Sequence, residues 1–128
     1  MDNNLLFVYG TLRDGMPNHP LMGGCNLVMP KAVINAKLFL SGWLPLIFEG
    51  EGKVVGEVYE IPDAEKWRRL DSLEGHPDWY QRRLVDAITG PDDPPTKVWA
   101  YFMNDHHDYP GLKYVEDGDY SKHRAGDL

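Results

Sequence analysis

The sequence predicts a β-rich domain of the mixed α+β class, with few helices. Ten prolines and thirteen glycines among 128 residues indicate many turns between short strands. Several apolar segments are rich in β-branched residues and alternate as strands do, whereas a single segment has a convincing helical period. Single domains are typically about 100–150 residues long, so we expect residues 1–128 to form one domain with one core.

The predicted strands are separated by glycine, proline and polar turns. They cover residues 5–9, 31–40, 54–61, 80–88 and 96–103. The proline-rich segment 90–95 lies between the last two strands and predicts a hairpin. Residues 43–48 are apolar but contain Pro45, which cannot donate a ladder hydrogen bond, so they are an edge strand or an ordered loop. The last 25 residues, from Asn104, have no clear period, and we expect them to wrap the surface.

One helix is predicted to begin after Asp63, a favourable N-cap, and to end at Gly75. Its apolar stripe consists of Ala64, Trp67, Leu70 and Leu73. Glu74 follows Leu70 by four positions and Trp67 by seven, so its carboxylate is expected to project from the middle of this stripe.

Glu74 is the strongest candidate for a catalytic residue in the sequence. Burial disfavours the charged form of a carboxyl group, so its pKa is expected to rise towards neutrality, the range in which a general acid or base works best. Two structural alternatives remain open. Glu74 could form a salt bridge to Arg82 or Arg83, or the helix end could fray and expose the side chain.

A second candidate site is the turn after the first predicted strand. Residues 5–9 run directly into Tyr9-Gly10-Thr11-Leu12, where successive backbone N–H groups around a glycine can form a concave nest for a carboxylate. An ordinary connection between two elements has the same pattern. The segment lacks the lysine and the spacing of a phosphate-binding loop.

Neither a metal site nor a thiol nucleophile is indicated. The residues considered as metal ligands are His19, His76, His106, His107, Asp108 and His123. Adjacent histidines on an extended chain point to opposite sides, and the helical and Cys-x-x-Cys spacings of metal ligands are missing. Cys25 has no motif around it and is interpreted as a small buried hydrophobe. A single cysteine cannot form an internal disulfide, which suits a reducing compartment.

The formal net charge of −7 argues against a nucleic-acid partner, because phosphate binding needs a basic face. No apolar run approaches the roughly 20 residues of a membrane span. The N-terminus also lacks a basic segment followed by a hydrophobic signal core. We therefore expect no membrane association and a cytoplasmic location.

Five segments occur in an order that resembles a known family. They are residues 9–13 (YGTLR), 15–19 (GMPNH), 43–46 (WLPL), 55–59 (VGEVY) and 70–75 (LDSLEG), the last leading to 80–82 (YQR). Together they resemble the gamma-glutamylcyclotransferase-like family, particularly its gamma-glutamylamine cyclotransferase branch. The resemblance implies a small, mostly closed β-barrel of about six or seven strands with peripheral helices.

The resemblance also implies a site and a reaction. The backbone of residues 9–12 would bind the glutamyl part of a substrate, and Glu74 would be the acid/base. The implied enzyme needs no cofactor and acts on a small gamma-glutamyl amine or amide. Attack by the substrate's own α-amino group would release 5-oxoproline and a free amine. A binding module without turnover, or removal of a gamma-glutamyl protecting group in a biosynthetic pathway, remains an alternative.

The C-terminal part of the implied pocket has no clear match. An aromatic residue is expected there, with Tyr109, Tyr114 and Tyr120 as candidates and Tyr120 favoured. Arg82 is expected to pair with Asp71 or Glu74, or to form an ordinary structural ion pair. For the assembly, we expect a monomer or a weak homodimer.

Overall fold

The computed structural model of the chain describes residues 3–42, 44–74, 76, 80–90, 92–103 and 111–122. This part of the chain contains eight strands and one α-helix, with two short 3-10 segments at His19–Met22 and Tyr120–Lys122. The strands are β1 (Leu5–Val8), β2 (Asn26–Ile34), β3 (Lys37–Ser41), β4 (Leu44–Phe48), β5 (Val54–Glu60), β6 (Tyr80–Ile88), β7 (Thr96–Met103) and β8 (Leu112–Tyr114). The helix, α1, is Ala64–Glu74.

Five strands close into a barrel in the order β1-β5-β2-β6-β7. Neighbouring strands are antiparallel, except that β7 closes onto β1 as a parallel pair at Trp99 and Leu6. The predicted hairpin is β6–β7, which pairs Tyr80 with Met103 at its open end. The predicted small closed barrel is confirmed, with five strands instead of six or seven.

The other three strands form a second sheet in the order β4-β3-β8. The prediction of one strand over residues 31–40 is wrong, because β2 ends at Ile34 and β3 begins at Lys37 in this second sheet. Asn35 holds the bend between them, since its Oδ1 accepts a hydrogen bond from the Gly52 amide at 3.0 Å. Apolar alternation continues through both strands, so the pattern does not reveal that the pairing partner changes.

Two further segments of the sequence form the edges of the second sheet. β4 lies at an edge and pairs with β3, which confirms the edge-strand alternative and accommodates Pro45. The C-terminal segment differs in part from its prediction, because β8 pairs with β3. Most of its described residues are exposed, as expected for a surface segment, but it adds a strand to the second sheet and places Val115 and Tyr120 in the core.

The helix begins and ends close to its prediction. Asp63 Oδ1 accepts a hydrogen bond from the Lys66 amide at 2.8 Å, which caps the first turn. Trp67 and Leu70 are buried in an apolar cluster with residues of β1, β4 and β7. Leu73 is 44% exposed, so the buried stripe is narrower than predicted.

Ala64, at the other end of the predicted stripe, is also exposed. Both ends of the predicted apolar stripe therefore lie outside the part of the helix surface that packs against the barrel. Among the described residues, no helix combines the length and apolar character needed to cross a bilayer.

Candidate active site

A cavity of about 180 Å³ lies where the turn after β1, strand β4 and the C-terminal end of α1 meet. Its lining contains all four residues of the predicted 9–12 turn together with Glu74. The structure therefore brings together two candidate features that lie far apart in the sequence. The other described lining residues are Phe7, Val8, Asn18, Leu44, Pro45, Leu73, Tyr80 and Tyr101.

Hydrogen bonds hold the turn, and several of its own amides have no acceptor among the described residues. The Gly10 carbonyl accepts a hydrogen bond from the Arg13 amide at 3.0 Å, which closes a β-turn. Asn18 donates its amide to the Thr11 carbonyl and its Nδ2 to Thr11 Oγ1, each at 2.9 Å. The amides of Gly10, Thr11 and Leu12 donate to no other described residue. They are available to hold an anion such as a carboxylate.

Gly10 is required by the close approach of β4. A Cβ atom at this position would lie 2.6 Å from Cγ of Pro45, well inside van der Waals contact. Because glycine has no side chain, β4 can pack directly on the turn and form the adjoining cavity wall.

Glu74 is the last residue of α1 and is partly buried. Burial raises the pKa of its carboxyl group from 4.5 to about 7. Arg82 pairs with Asp71 and not with Glu74. Arg83 pairs with Glu49, and Glu74 forms no ion pair with another described residue. Glu74 is therefore balanced between its acid and base forms near neutral pH, as a general acid/base requires.

A hydrogen-bonded network supports α1 about one turn before Glu74. Asp71 accepts two hydrogen bonds from Arg82, at 2.6 Å from Nε and 3.0 Å from Nη2, and one from the Tyr101 hydroxyl at 2.6 Å. The Arg82 guanidinium lies 4.5 Å from the ring centroid of Trp67. Since Tyr101 lines the cavity, the network connects the cavity wall to the helix that carries Glu74.

The tyrosines that border the cavity use their hydroxyl groups for structure. Tyr9 donates to the carbonyl of Tyr101 at 2.8 Å, and Tyr80 donates to the carbonyl of Pro45 at 2.8 Å. Burial, followed by the nearby Tyr80 and Glu74, raises the pKa of Tyr9 well above 10.0. Burial also raises the pKa of Tyr101. Both phenols stay protonated at neutral pH, which leaves Glu74 as the group suited to proton transfer.

The family comparison agrees with this geometry. The family model described as gamma-glutamyl cyclotransferase, AIG2-like, matches residues 6–122. The chain belongs to the gamma-glutamylcyclotransferase family. A Methanocaldococcus jannaschii protein with gamma-glutamylcyclotransferase in its name is 35% identical over 126 residues, which cover 94% of this chain and 98% of the relative.

Two mammalian proteins are also similar to this gamma-glutamylcyclotransferase family member. The gamma-glutamylaminecyclotransferase of Rattus norvegicus is 39% identical over 95 residues, which cover 64% of this chain and 62% of the rat protein. The crystal structure of an AIG2-like protein from Mus musculus superposes with a TM-score of 0.73 at 26% identity. That superposition covers 88% of this chain and 86% of the mouse chain.

Sequence reasoning missed Asn18, Tyr80 and Tyr101 as cavity residues. Asn18 and Tyr80 lie within segments that resemble the gamma-glutamylcyclotransferase family, so the resemblance was a signal that could have found them. Tyr101 lies on an alternating strand, where one tyrosine among apolar residues gives a weaker signal.

Tyr120, which was expected from the sequence to line the pocket, is not among the described residues that line this cavity. Tyr120 is 3% exposed and belongs to the apolar cluster that contains Phe7, Val54 and Phe102. It enters this core because the preceding C-terminal residues dock on β5. Tyr114 is 43% exposed on β8, and Tyr109 lies outside the described residues.

No group of three or more potential metal ligands is found within the described ranges. Of the histidines considered from the sequence, His19 and His76 lie in that part of the chain. Nδ1 of His19 is 3.0 Å from the carbonyl oxygen of Leu12, and Nδ1 of His76 accepts a hydrogen bond from the Arg82 amide at 3.2 Å. His106, His107, Asp108 and His123 lie outside it.

We expect Arg82→Gln to lower the free energy of unfolding by about 2–3 kcal/mol, because it leaves the Asp71 carboxylate without its cation in a confined site. The matched control is Arg69→Gln, which breaks an exposed ion pair with Glu65 on the same helix. That control is expected to cost at most about 0.5 kcal/mol. Urea unfolding at pH 7 measures both values, and equal losses would contradict a structural role for the Asp71 network.

Proposed function

We propose that this chain is a cofactor-free cyclotransferase that acts on a small gamma-glutamyl amine or amide and releases 5-oxoproline and the free amine. The observation that carries this proposal is one cavity lined both by residues of the 9–12 turn, whose amides at positions 10–12 donate to no other described residue, and by the partly buried Glu74. Family membership supports the enzyme class. The name of the rat relative favours an amine as the leaving group.

The 9–12 turn would position the substrate. Its free amides can bind the α-carboxylate, and this would leave the α-amino group and the γ-carbonyl group inside the cavity. A gamma-glutamyl chain held at its carboxylate can fold so that the amine approaches the carbonyl carbon. Because nucleophile and electrophile belong to one molecule, such positioning is worth several kcal/mol of barrier lowering.

Glu74 would transfer the protons. As a carboxylate, it accepts a proton from the α-ammonium group, and the freed nitrogen attacks the γ-carbonyl carbon. A new C–N bond then closes the five-membered lactam. As a carboxylic acid, Glu74 returns a proton to the departing nitrogen while the original amide C–N bond breaks. The second proton of the ring nitrogen passes to the released amine, which leaves as an ammonium ion, and Glu74 is again a carboxylate. A pKa of about 7 allows one residue to perform both transfers at neutral pH.

The rest of the cavity is compatible with an uncharged leaving group. Phe7, Leu44 and Pro45 give its wall an apolar surface, and Leu73 lies beside Glu74 at the end of α1. An apolar wall excludes water from the attacking amine and strengthens the electrostatic influence of the carboxylate.

The test is incubation of the purified protein with a panel of gamma-glutamyl amines and gamma-glutamyl amino acids. We expect equimolar release of free amine and 5-oxoproline from at least one gamma-glutamyl amine, measured by chromatography. Release of glutamate instead would indicate hydrolysis and contradict cyclisation. Binding in calorimetry without any product from the panel would favour a binding module.

A further inference from the structure

Three charged side chains from distant parts of the chain meet directly behind the 9–12 turn. Arg13 follows the turn, Glu57 lies on β5, and Asp119 lies in residues 111–122, which we call the C-terminal arm. Arg13 Nε is 3.3 Å from Glu57 Oε2, and Arg13 Nη1 is 2.8 Å from Asp119 Oδ1. The side chains of Arg13, Glu57 and Asp119 are only 12%, 9% and 15% exposed, so solvent screens these ion pairs little.

Glu57 holds the backbone after the turn as well as the arginine. Its Oε1 accepts hydrogen bonds from the Asp14 amide at 3.0 Å and from the Tyr59 hydroxyl at 2.9 Å. One carboxylate therefore fixes both the side chain of Arg13 and the main chain of Asp14. The two residues that leave the turn are thus tied to the barrel wall.

Asp119 ties the same arginine to the C-terminal arm. Its Oδ1 accepts hydrogen bonds from the Ser121 amide at 3.1 Å and the Ser121 hydroxyl at 2.6 Å. Partial burial favours the neutral acid, but the hydrogen bonds from Ser121 and the contact with Arg13 outweigh it and lower the pKa of Asp119. Asp119 is therefore a carboxylate at neutral pH.

The C-terminal arm is itself pinned to β5. The carbonyl of Gly118 accepts a hydrogen bond from the Val55 amide at 2.8 Å. Gly118 has a φ of +66°, and a Cβ atom there would lie 1.6 Å from the carbonyl oxygen of Lys53. Only glycine fits this position, so the arm brings Asp119 to Arg13 in one defined geometry.

We propose that Arg13, Glu57 and Asp119 form a positioning triad that presets the 9–12 turn for the substrate carboxylate, with Asp119 linking the C-terminal arm to the cavity. Partly buried ion pairs add little net stability, and their best-supported use is to specify one geometry. Free backbone amides bind an anion well only when the turn is already arranged, because ordering it on binding would reduce affinity. The inference rests on the proposed function, since it assumes a carboxylate at the turn.

The experiment compares Asp119→Ala and Asp119→Asn with the control Glu116→Ala. Glu116 is exposed in the same arm and forms no ion pair with another described residue, so its removal changes the charge equally. The turn contacts the substrate in both ground and transition states. We therefore expect the Asp119 variants to raise KM for a gamma-glutamyl n-butylamide about 10- to 100-fold with kcat changed less than about threefold.

Two readouts do not depend on turnover. In a Glu74→Gln background, calorimetry is expected to give the same loss of affinity for this amide. Amide hydrogen exchange at Gly10, Thr11 and Leu12 is expected to accelerate in the Asp119 variants and to stay unchanged in Glu116→Ala. Absence of product from the unaltered protein would contradict the proposed function. The two readouts would still test whether the triad positions the 9–12 turn.

The proposal is overturned if both Asp119 variants match the Glu116→Ala control in affinity and in hydrogen exchange at the turn. It is also overturned if exchange accelerates uniformly over the whole barrel, because that pattern indicates a general loss of stability. Asp119→Asn guards against misfolding, since it keeps the hydrogen bonds from Ser121 and loses only the charge towards Arg13.

Discussion

Replacing Glu74 by glutamine is expected to lower kcat for gamma-glutamyl amine cyclisation about 10²- to 10⁴-fold. The amide has nearly the same shape as the carboxyl group but can neither accept the proton of the attacking amine nor return one to the leaving nitrogen. Substrate dissociation constants are expected to change less than about threefold, because the carboxylate of the substrate is assigned to the 9–12 turn. Single-turnover kinetics and calorimetry measure the two quantities separately.

The control for this variant is Glu65→Gln, which removes a charge from an exposed position of the same helix. It is expected to retain turnover within about twofold, because Glu65 is not among the residues that line the cavity. Full activity of Glu74→Gln would remove Glu74 from the mechanism. An equal loss of binding and turnover would assign it to substrate binding instead.

The same residue is expected to make stability depend on pH. Below pH 4.5 its carboxyl group is protonated in both the folded and the unfolded chain. Between pH 4.5 and about 7 the folded state keeps the proton that the unfolded state releases, so the free energy of unfolding falls as pH rises. A pKa difference from 4.5 to about 7 corresponds to at most about 3 kcal/mol, and partial exposure reduces the expected loss to about 2 kcal/mol.

Glu74→Gln stays neutral and should escape this loss. Relative to the unaltered protein, the variant is therefore expected to gain about 2 kcal/mol of stability between pH 4 and pH 8. Urea unfolding of both proteins at half-unit pH steps gives the difference curve. A flat difference curve would contradict the raised pKa, and so would a variant that loses stability relative to the unaltered protein as pH rises from 4.5 to 7.

Elements with local signals could be predicted from the sequence. The N-cap at Asp63 and the helical spacing placed α1, and the proline-rich segment 90–95 placed the β6–β7 hairpin. Each of these signals is carried by neighbours in the chain, so no knowledge of the distant partner is needed. The position of Glu74 on the helix followed in the same way.

Features set by distant contacts could not be predicted. Apolar and polar residues alternate over residues 31–40 in the same way whether one strand continues or the chain moves to another sheet. The bend at Asn35 therefore could not be predicted from this pattern. Whether Arg82 pairs with Asp71 or with Glu74 depends on how α1 packs against the barrel. The surroundings of Tyr120 in the folded chain cannot be read from the local sequence pattern. Its assignment to the pocket therefore had no local signal to support it.

The chemistry of the site could be predicted from the sequence, but the proximity of its two parts could not. The residue types of the 9–12 turn and of Glu74 indicated anion binding and proton transfer, but only the structure places them in one cavity. The single domain, the oligomeric state and the cytoplasmic location remain predictions.

The parallel pairing of β1 with β7 has a consequence for how the cavity is made. The 9–12 turn follows β1, yet β1 becomes a closed part of the barrel only when Leu6 pairs with Trp99, much later in the sequence. Loop-closure entropy makes such distant pairings slow to form. During synthesis the turn emerges before β7, and the barrel that carries it closes only after β7 has paired with β1. The complete cavity is therefore expected to form only after β7 has been synthesised and has paired with β1.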